Sequence, residues 1–320
     1  SGRSFEHRKR WLEERLRFLA GCFGIDLLGF AILSNHFHLI LRNRPDVVAT
    51  WDDAEVARRW LMLCPVRKTP AGEPEEPTDA EIAAITGVPE RLKEIRRRLC
   101  DISWLMRMAT EPLARRANRE DGVSGRFWEG RFKSVKLCDE AAILACGVYV
   151  DLNPIRAGLA DTPEDSDFTS AQRRIEARAQ QCEQHATAAS AEPASPDDWL
   201  APLPLAESAA DPGPAPSASP ARCSDRGFLP MSVDDYLQLL DWTGRRLVHG
   251  KHGAIPPDLA PILDRLQIAE KDWLELAGGF GRLFQRVAGR AASIARLRTP
   301  AGRTFRPGHA RLLGAASRVS

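Results

Sequence analysis

Leu28-Gly29-Phe30-Ala31-Ile32-Leu33-Ser34-Asn35-His36-Phe37-His38-Leu39-Ile40-Leu41 is an apolar run that breaks once and then sets two histidines around one phenylalanine. Its pattern predicts strand over residues 26 to 42, as two strands or one long bent one, with Ser34-Asn35 as the turn. Residues i and i+2 of a strand face the same way, so His36 and His38 would project from one face. Two imidazoles side by side can hold a divalent metal. A pair of surface histidines would show the same spacing, so the meaning of the pair depends on the rest of the chain.

Working outward, residues 5 to 20 carry Trp11, Leu12, Leu16 and Leu19 at helical spacing among charged residues, which predicts an amphipathic helix. Residues 45 to 98 read as an insertion, with a proline-rich loop from Pro65 to Pro77 and short charged helices ending in Arg96-Arg97-Arg98. Residues 101 to 118 form another helix, with Asp101 as its cap. Residues 126 to 137 alternate aromatic or apolar with basic residues, which predicts a strand with a basic face. Asp139 then caps a helix to about Leu152, and Asn153-Pro154 ends it because the residue before proline is pushed out of the helical region. A further helix spans about 169 to 184. Residues 185 to 225, rich in Ala, Pro and Ser, read as a flexible linker. A second helical region follows at 226–320, opened by Ser232-Val233-Asp234-Asp235 in a capping-box pattern.

The 320 residues allow about two domains: one at 1–184 and the region after the linker. Net charge is only +2, so overall charge names no partner. Its distribution does more: after Glu275 there is no acid, while Arg282, Arg286, Arg290, Arg296, Arg298, Arg303, Arg306, Arg311 and Arg318 follow. Such a tail suits a polyanion and an accessory DNA-binding role. Packing of this helical region on the catalytic domain is the competing expectation. The 7 cysteines are scattered, with no C-x-x-C pair, which fits reduced thiols and a cytoplasmic chain better than a zinc knuckle or a disulfide framework. No apolar run is long enough to span a bilayer.

The chain has 2 tyrosines. Tyr149 lies on the helix before Leu152-Asn153-Pro154, and Asn153 is four residues on, so a phenol and a carboxamide would share one helix face. A phenol is a better leaving group than an aliphatic hydroxyl. A tyrosine nucleophile therefore suits break-and-rejoin chemistry on nucleic acid, in which a covalent intermediate conserves the phosphodiester. A metal at His36 and His38 would act as Lewis acid on the scissile phosphate, with Asn153 as a third ligand. Arg126, Arg131 and Lys133, interleaved with Phe127, Trp128 and Phe132, offer phosphate contacts and stacking platforms for unpaired bases. Arg156, just past the helix end, is a further candidate for clamping phosphate.

These residues resemble a known family. Ser34-Asn35-His36-Phe37-His38-Leu39-Ile40-Leu41 looks like the HUH strand of single-tyrosine transposases, where U is a bulky apolar residue. Gly125-Arg126-Phe127-Trp128-Glu129-Gly130-Arg131-Phe132-Lys133-Ser134 and Tyr149-Val150-Asp151-Leu152-Asn153-Pro154-Ile155-Arg156-Ala157-Gly158-Leu159 resemble two signature blocks of the REP-associated tyrosine transposases. The resemblance covers about residues 5 to 180. It implies an α+β fold, a ferredoxin-like antiparallel sheet with packed helices, and a tyrosine on a helix beside the HUH strand. It implies Mg²⁺ or Mn²⁺, a hairpin-bearing single-stranded DNA of REP-like or element-end sequence, and cleavage through a 5′-phosphotyrosine. Carried onto this chain, His36 and His38 are metal ligands, Tyr149 is the nucleophile, and Asn153 stands where the family has its next polar helix residue. A bacterial, nucleoid-associated protein follows, with monomer and homodimer both open.

Two departures accompany the resemblance. The family's domain opens with a strand ahead of the first helix, and none is visible before Phe5, so the expectation is a fragment lacking a strand of the central sheet. The insertion at 45–98 is larger than in compact members. The competing expectation is a catalytically silent DNA-binding protein on the same fold. A histidine-based phosphodiesterase is weaker, because His185, His249, His252 and His309 lack a matching context.

Overall fold

The apolar run folds as a hairpin, with β1 (Ile25–Ile32) paired antiparallel to β2 (Phe37–Asn43). The amide of Leu33 donates to the carbonyl of His36 at 2.9 Å and closes the turn at Ser34-Asn35. β1 is buried along its whole length, whereas β2 is mostly half-exposed. That asymmetry follows from composition: a continuous apolar run suits a strand covered on both faces. The computed structural model describes residues 5–187, 194–205, 213–249, 260–297, 304–306 and 308–314. It is α+β and 54% helical. Its described sheets are the β1–β2 pair and a small second pair, so a larger ferredoxin-like sheet is not among the described strands.

The described chain divides into two compact units. They interleave along the sequence rather than following the expected 1–184 and 226–320: the first takes 1–28, 32–131 and 180–228, the second 29–31, 132–179 and 229–320.

In the first unit, α1 (Glu6–Cys22) buries Leu12, Leu16, Leu19 and Ala20. The insertion is folded: α2 (Pro45–Thr50), α3 (Asp53–Leu63), α4 (Asp79–Thr86) and α5 (Pro89–Leu99). Asp52 caps α3 through the Glu55 amide, and Thr78 with Glu81 forms a reciprocal capping box on α4. Val56, Trp60, Ile85, Ile95 and Leu99 fill the core between these helices, each worth about 1.5–3 kcal/mol on full burial. α6 (Ile102–Asp121) packs on α1. Asp101 caps it, as expected, and Gly122 ends it in the left-handed region at φ 65°.

Two expectations are corrected. The expected basic strand at 126–137 is mostly irregular, with only Lys136–Leu137 as strand. The alternation fails because Phe127 and Trp128, although consecutive, join one cluster, ring centroids 5.0 Å apart, with Trp128 also edge-on to Phe37 at 5.6 Å. Phe132 is 40% exposed.

The expected flexible linker is packed wherever it is described. Trp199, Leu200, Ala201 and Leu203 are each 1% exposed, and Cys223 and Ser224 are buried. The cause lies on β1 and β2. Arg42 donates to the carbonyls of Gly227 (3.0 Å) and Arg226 (2.6 Å), and Arg44 to the carbonyl of Pro214 and to Ser224 Oγ (2.6 Å). Asp26 gathers both guanidiniums, at 2.9 Å from Arg42 Nε and 3.1 Å from Arg44 Nη1, and accepts from Ser224 Oγ at 2.7 Å. Composition cannot show that two distant arginines bind a segment's carbonyls. The remainder of the expected linker, 188–193 and 206–212, lies outside the described residues.

The second unit contains β3 (Lys136–Leu137), α7 (Glu140–Asp151), α8 (Asn153–Arg156), α9 (Ser170–Thr187), α10 (Val233–His249), α11 (Ala260–Leu266), α12 (Glu270–Leu283), β4 (Val287–Ala288) and α13 (Ala291–Ala295). The first part of α9 belongs to this unit and its end to the other. β3 and β4 pair in parallel. Asp139 caps α7 through the Ala142 amide at 3.0 Å, and Ser232 with Asp235 caps α10 reciprocally. α7 packs on α12. Of the arginine tail, Arg290 is structural, donating to the carbonyls of Leu313 and Leu266. Arg298, Arg303 and Arg318 lie outside the described residues, as does His252.

Candidate metal and nucleophile sites

In the first unit, His36 is the exposed last residue of the turn and His38 is a half-exposed residue of β2. Their rings stand edge to face, centroids 5.0 Å apart at 89°. The carboxamide oxygen of Asn35 is 2.6 Å from His36 Nδ1. An N–H at Nδ1 donating to that oxygen puts the ring's lone pair on Nε2, which fixes the tautomer a metal ligand needs. That spacing is an ordinary edge-to-face ring contact, and it leaves two neighbouring imidazoles as the residues that could hold an ion. Two nitrogens suit Mn²⁺ better than the oxygen-preferring Mg²⁺. Among the described residues no group of three or more His, Cys, Asp or Glu completes a metal cage. Asn35 is the residue that sequence reasoning missed as a partner; its place directly before the first histidine was the available signal.

Tyr149 and Asn153 belong to the second unit. Tyr149 is half-buried near the end of α7, 6.1 Å from the Phe280 ring by centroids. The guanidinium carbon of Arg156 lies over the phenol, 3.7 Å from its centre, and Arg156 Nη1 donates to the Gly278 carbonyl at 3.0 Å. The phenol oxygen lies against α12 so closely that a Cβ at Gly281 would be 2.8 Å from it. Arg156 was foreseen as a phosphate clamp; its hold on the phenol was not.

Asn153 departs from expectation. α7 ends at Asp151, and Leu152 (φ −83°, ψ 3°) passes directly into α8. Asn153 is therefore helical, and Pro154 is tolerated because it falls in the first turn, where its missing N–H costs nothing. The Asn153 side chain is 7% exposed, and its Nδ2 has no hydrogen-bond partner among the described residues. The Nε of Arg156 is likewise buried without a partner. One turn of α8 thus holds two unsatisfied donors, a costly arrangement that calls for an acceptor.

Between Tyr149 and Asn153 sits Asp151, fully buried. It accepts from Ser170 Oγ (2.6 Å), the Ala171 amide (3.1 Å) and Tyr236 Oη (2.6 Å). Burial pushes its carboxyl above the usual range, against the pull of these donors and of Arg174. Burial likewise raises Tyr236 well above its ordinary value, so that phenol stays protonated and donates. The second tyrosine is therefore a structural residue.

The basic candidates are spread over both units. Arg126 and Arg131 are exposed in the first, Lys133 in the second. Trp128 donates from Nε1 to the Thr110 carbonyl at 3.0 Å, which fixes it to α6. The described cysteines are free thiols, and burial pushes Cys22 up to about 12, which makes it unreactive. No described helix is long and apolar enough to cross a membrane.

Compared with known proteins, the chain matches no family model, no curated protein and no solved structure.

Proposed function

We propose that this chain is a metal-dependent single-stranded DNA transesterase of the HUH type, a transposase or a domesticated relative, working on hairpin-bearing DNA. The observation that carries this reading is the His36–His38 pair at 5.0 Å, with the Asn35 carboxamide oxygen 2.6 Å from His36 Nδ1. The ion, Mn²⁺ or Mg²⁺, would supply Lewis-acid polarisation of the scissile phosphate. Tyr149 Oη attacks phosphorus, a 5′-phosphotyrosine bond forms, the bond to the 3′ oxygen breaks, and that oxygen leaves with a proton. Arg156, held over the phenol by Gly278, is placed to neutralise the phosphate that Tyr149 receives. Asn153 as a third ligand through its amide oxygen belongs to the same proposal, because an amide oxygen suits a hard divalent ion. An HUH-type fold belongs to the same proposal.

The test is an SDS-stable adduct with a hairpin oligonucleotide in Mn²⁺ or Mg²⁺. The expected result is an adduct that needs the metal and disappears in Tyr149→Phe and in His36→Ala/His38→Ala. An adduct of unchanged yield in Tyr149→Phe would refute the assignment.

A DNA-binding protein that does not cut is the second reading. The close fit of the phenol oxygen against Gly281 favours it, because a nucleophile must reach a phosphorus. Tight binding without adduct, undiminished in the double histidine variant, would establish it.

A further inference from the structure

We propose that the face made by the start of α1 and the last turns of α6 is a docking surface for the phosphate backbone of the paired stem of a DNA hairpin. This rests on the DNA-acting reading and adds to it a second binding region, away from the histidine pair in the sequence.

Most arginines on the helices of the first unit are neutralised locally. Arg97 and Arg98 pair with Glu94, Arg59 with Glu55, and Arg107 and Arg115 with Glu111. The pattern changes after Arg115. Arg116 and Arg119 are exposed and have no carboxylate partner among the described residues, and the same holds for Arg131. Arg126 reaches only the Glu129 backbone carbonyl, at 3.3 Å. The two acids that end α6 are already engaged: Glu120 with Arg8 (2.8 Å) and His7 (2.7 Å), Asp121 with Arg8. Exposed arginines without a carboxylate partner among the described residues are thus gathered at the end of α6.

The chain is also arranged to concentrate these groups. Arg116 and Arg119 are three apart and share a helix face. The Val123 amide donates to the Asn118 carbonyl (2.9 Å) and Asn118 Nδ2 to the Gly125 carbonyl (2.9 Å). The segment leading to Arg126 is thereby folded back on the end of α6.

Stacking narrows the partner. The Arg116 guanidinium lies over Trp11, 3.7 Å from the ring centre, and His7 meets the same ring edge-on at 4.8 Å. The indole is thus a platform that orients a guanidinium, and its stacked face is taken. A surface of oriented cations, whose aromatic ring is already occupied, reads phosphates and not bases. That favours a paired stem, whose bases are stacked inward and whose phosphates face out, over an unpaired strand.

The test uses the whole chain and two probes, a hairpin with a short single-stranded extension and the extension alone, titrated over a salt series. For Arg116→Gln/Arg119→Gln, the expected result is about tenfold weaker hairpin binding and a salt slope smaller by about two, one for each phosphate no longer neutralised. The extension alone should change by less than about twofold. Arg107→Gln/Arg115→Gln removes the same charge from arginines already paired with Glu111 and should leave the slope nearly unchanged. An unchanged hairpin affinity and slope overturns the proposal, as does equal loss in the control variant or equal loss on the unpaired strand. An adduct with no slope change would remove this surface and keep the transesterase; a slope change without adduct would do the reverse.

Discussion

Asp26 and Asp151 are both buried acids, one in each unit, and the protein accommodates them by opposite means. Asp26 sits between two guanidiniums, those of Arg42 and Arg44, with Cys223 and Ser224 on its other oxygen. Asp151 is met at hydrogen-bond distance by neutral donors, a serine, a tyrosine and a backbone amide. The first arrangement fastens a distant segment, because the same arginines hold the carbonyls of residues 214, 226 and 227. The second ties the end of α7 to α9 and α10, next to the candidate nucleophile. A charged buried cluster acts as a clamp whose parts cannot be removed singly. A neutral network tolerates substitution but depends on pH.

Removing the clamp should give the largest effect. Asp26→Ala leaves two arginines without their shared counter-charge, one of them almost wholly buried, and should cost about 3–5 kcal/mol. Urea unfolding would measure it, and residues 213–228 should become sensitive to protease. A loss below about 1 kcal/mol would mean that the arginines are held well enough by the carbonyls alone.

Asp151→Ala should cost less, about 1–3 kcal/mol, because it strands neutral donors. The sharper contrast is pH. The folded carboxyl titrates above its unfolded value. The proton it retains therefore adds stability below the unfolded pKa, and that stability is lost as pH rises through the folded one. Asp151→Asn keeps an acceptor and removes the titration. Its stability relative to the natural chain should rise as pH goes from about 4 toward neutrality. A difference independent of pH would mean that the folded Asp151 carboxyl does not titrate above its unfolded value.

The same contrast explains what could be read from the chain alone. α1, the β1–β2 hairpin, α6 and α7 were legible because their signals are local: helical periodicity, a Ser-Asn break in an apolar run, Asp101 and Asp139 as caps. The packing of Cys223 and Ser224 was not, since it depends on Asp26 and Arg44, far earlier in the chain. Composition marked that segment as unable to bury a core, yet Trp199, Leu200, Ala201 and Leu203 are core residues. At the candidate site the histidine pair was legible as spacing and Tyr149 as a motif. The end of α7 at Leu152 was legible, but the short helix that Asn153 and Pro154 open directly after it was not. The paired state of most helix arginines was hidden too, because only folded geometry separates Arg115, bonded to Glu111, from Arg116.

The smallest expected change in stability comes at Gly281, and it bears directly on the transesterase reading. Alanine there gains helix propensity of about 1 kcal/mol. Its Cβ, however, would stand 2.8 Å from the Tyr149 oxygen and 3.3 Å from the ring carbon that bears it. The atom in the way is the tip of a half-buried side chain, so the phenol shifts while α12 stays in place. The two terms oppose each other, and the stability of Gly281→Ala should stay within about 1 kcal/mol of the natural chain. Adduct yield should not stay put. A tyrosine nucleophile depends on the position of one oxygen, and an error of about 1 Å costs on the order of a hundredfold in rate. Slow adduct formation with stability and DNA affinity intact would tie that oxygen to the chemistry. An unchanged rate, with adduct still lost in Tyr149→Phe, would mean that Tyr149 leaves its packed position against α12 before it reacts.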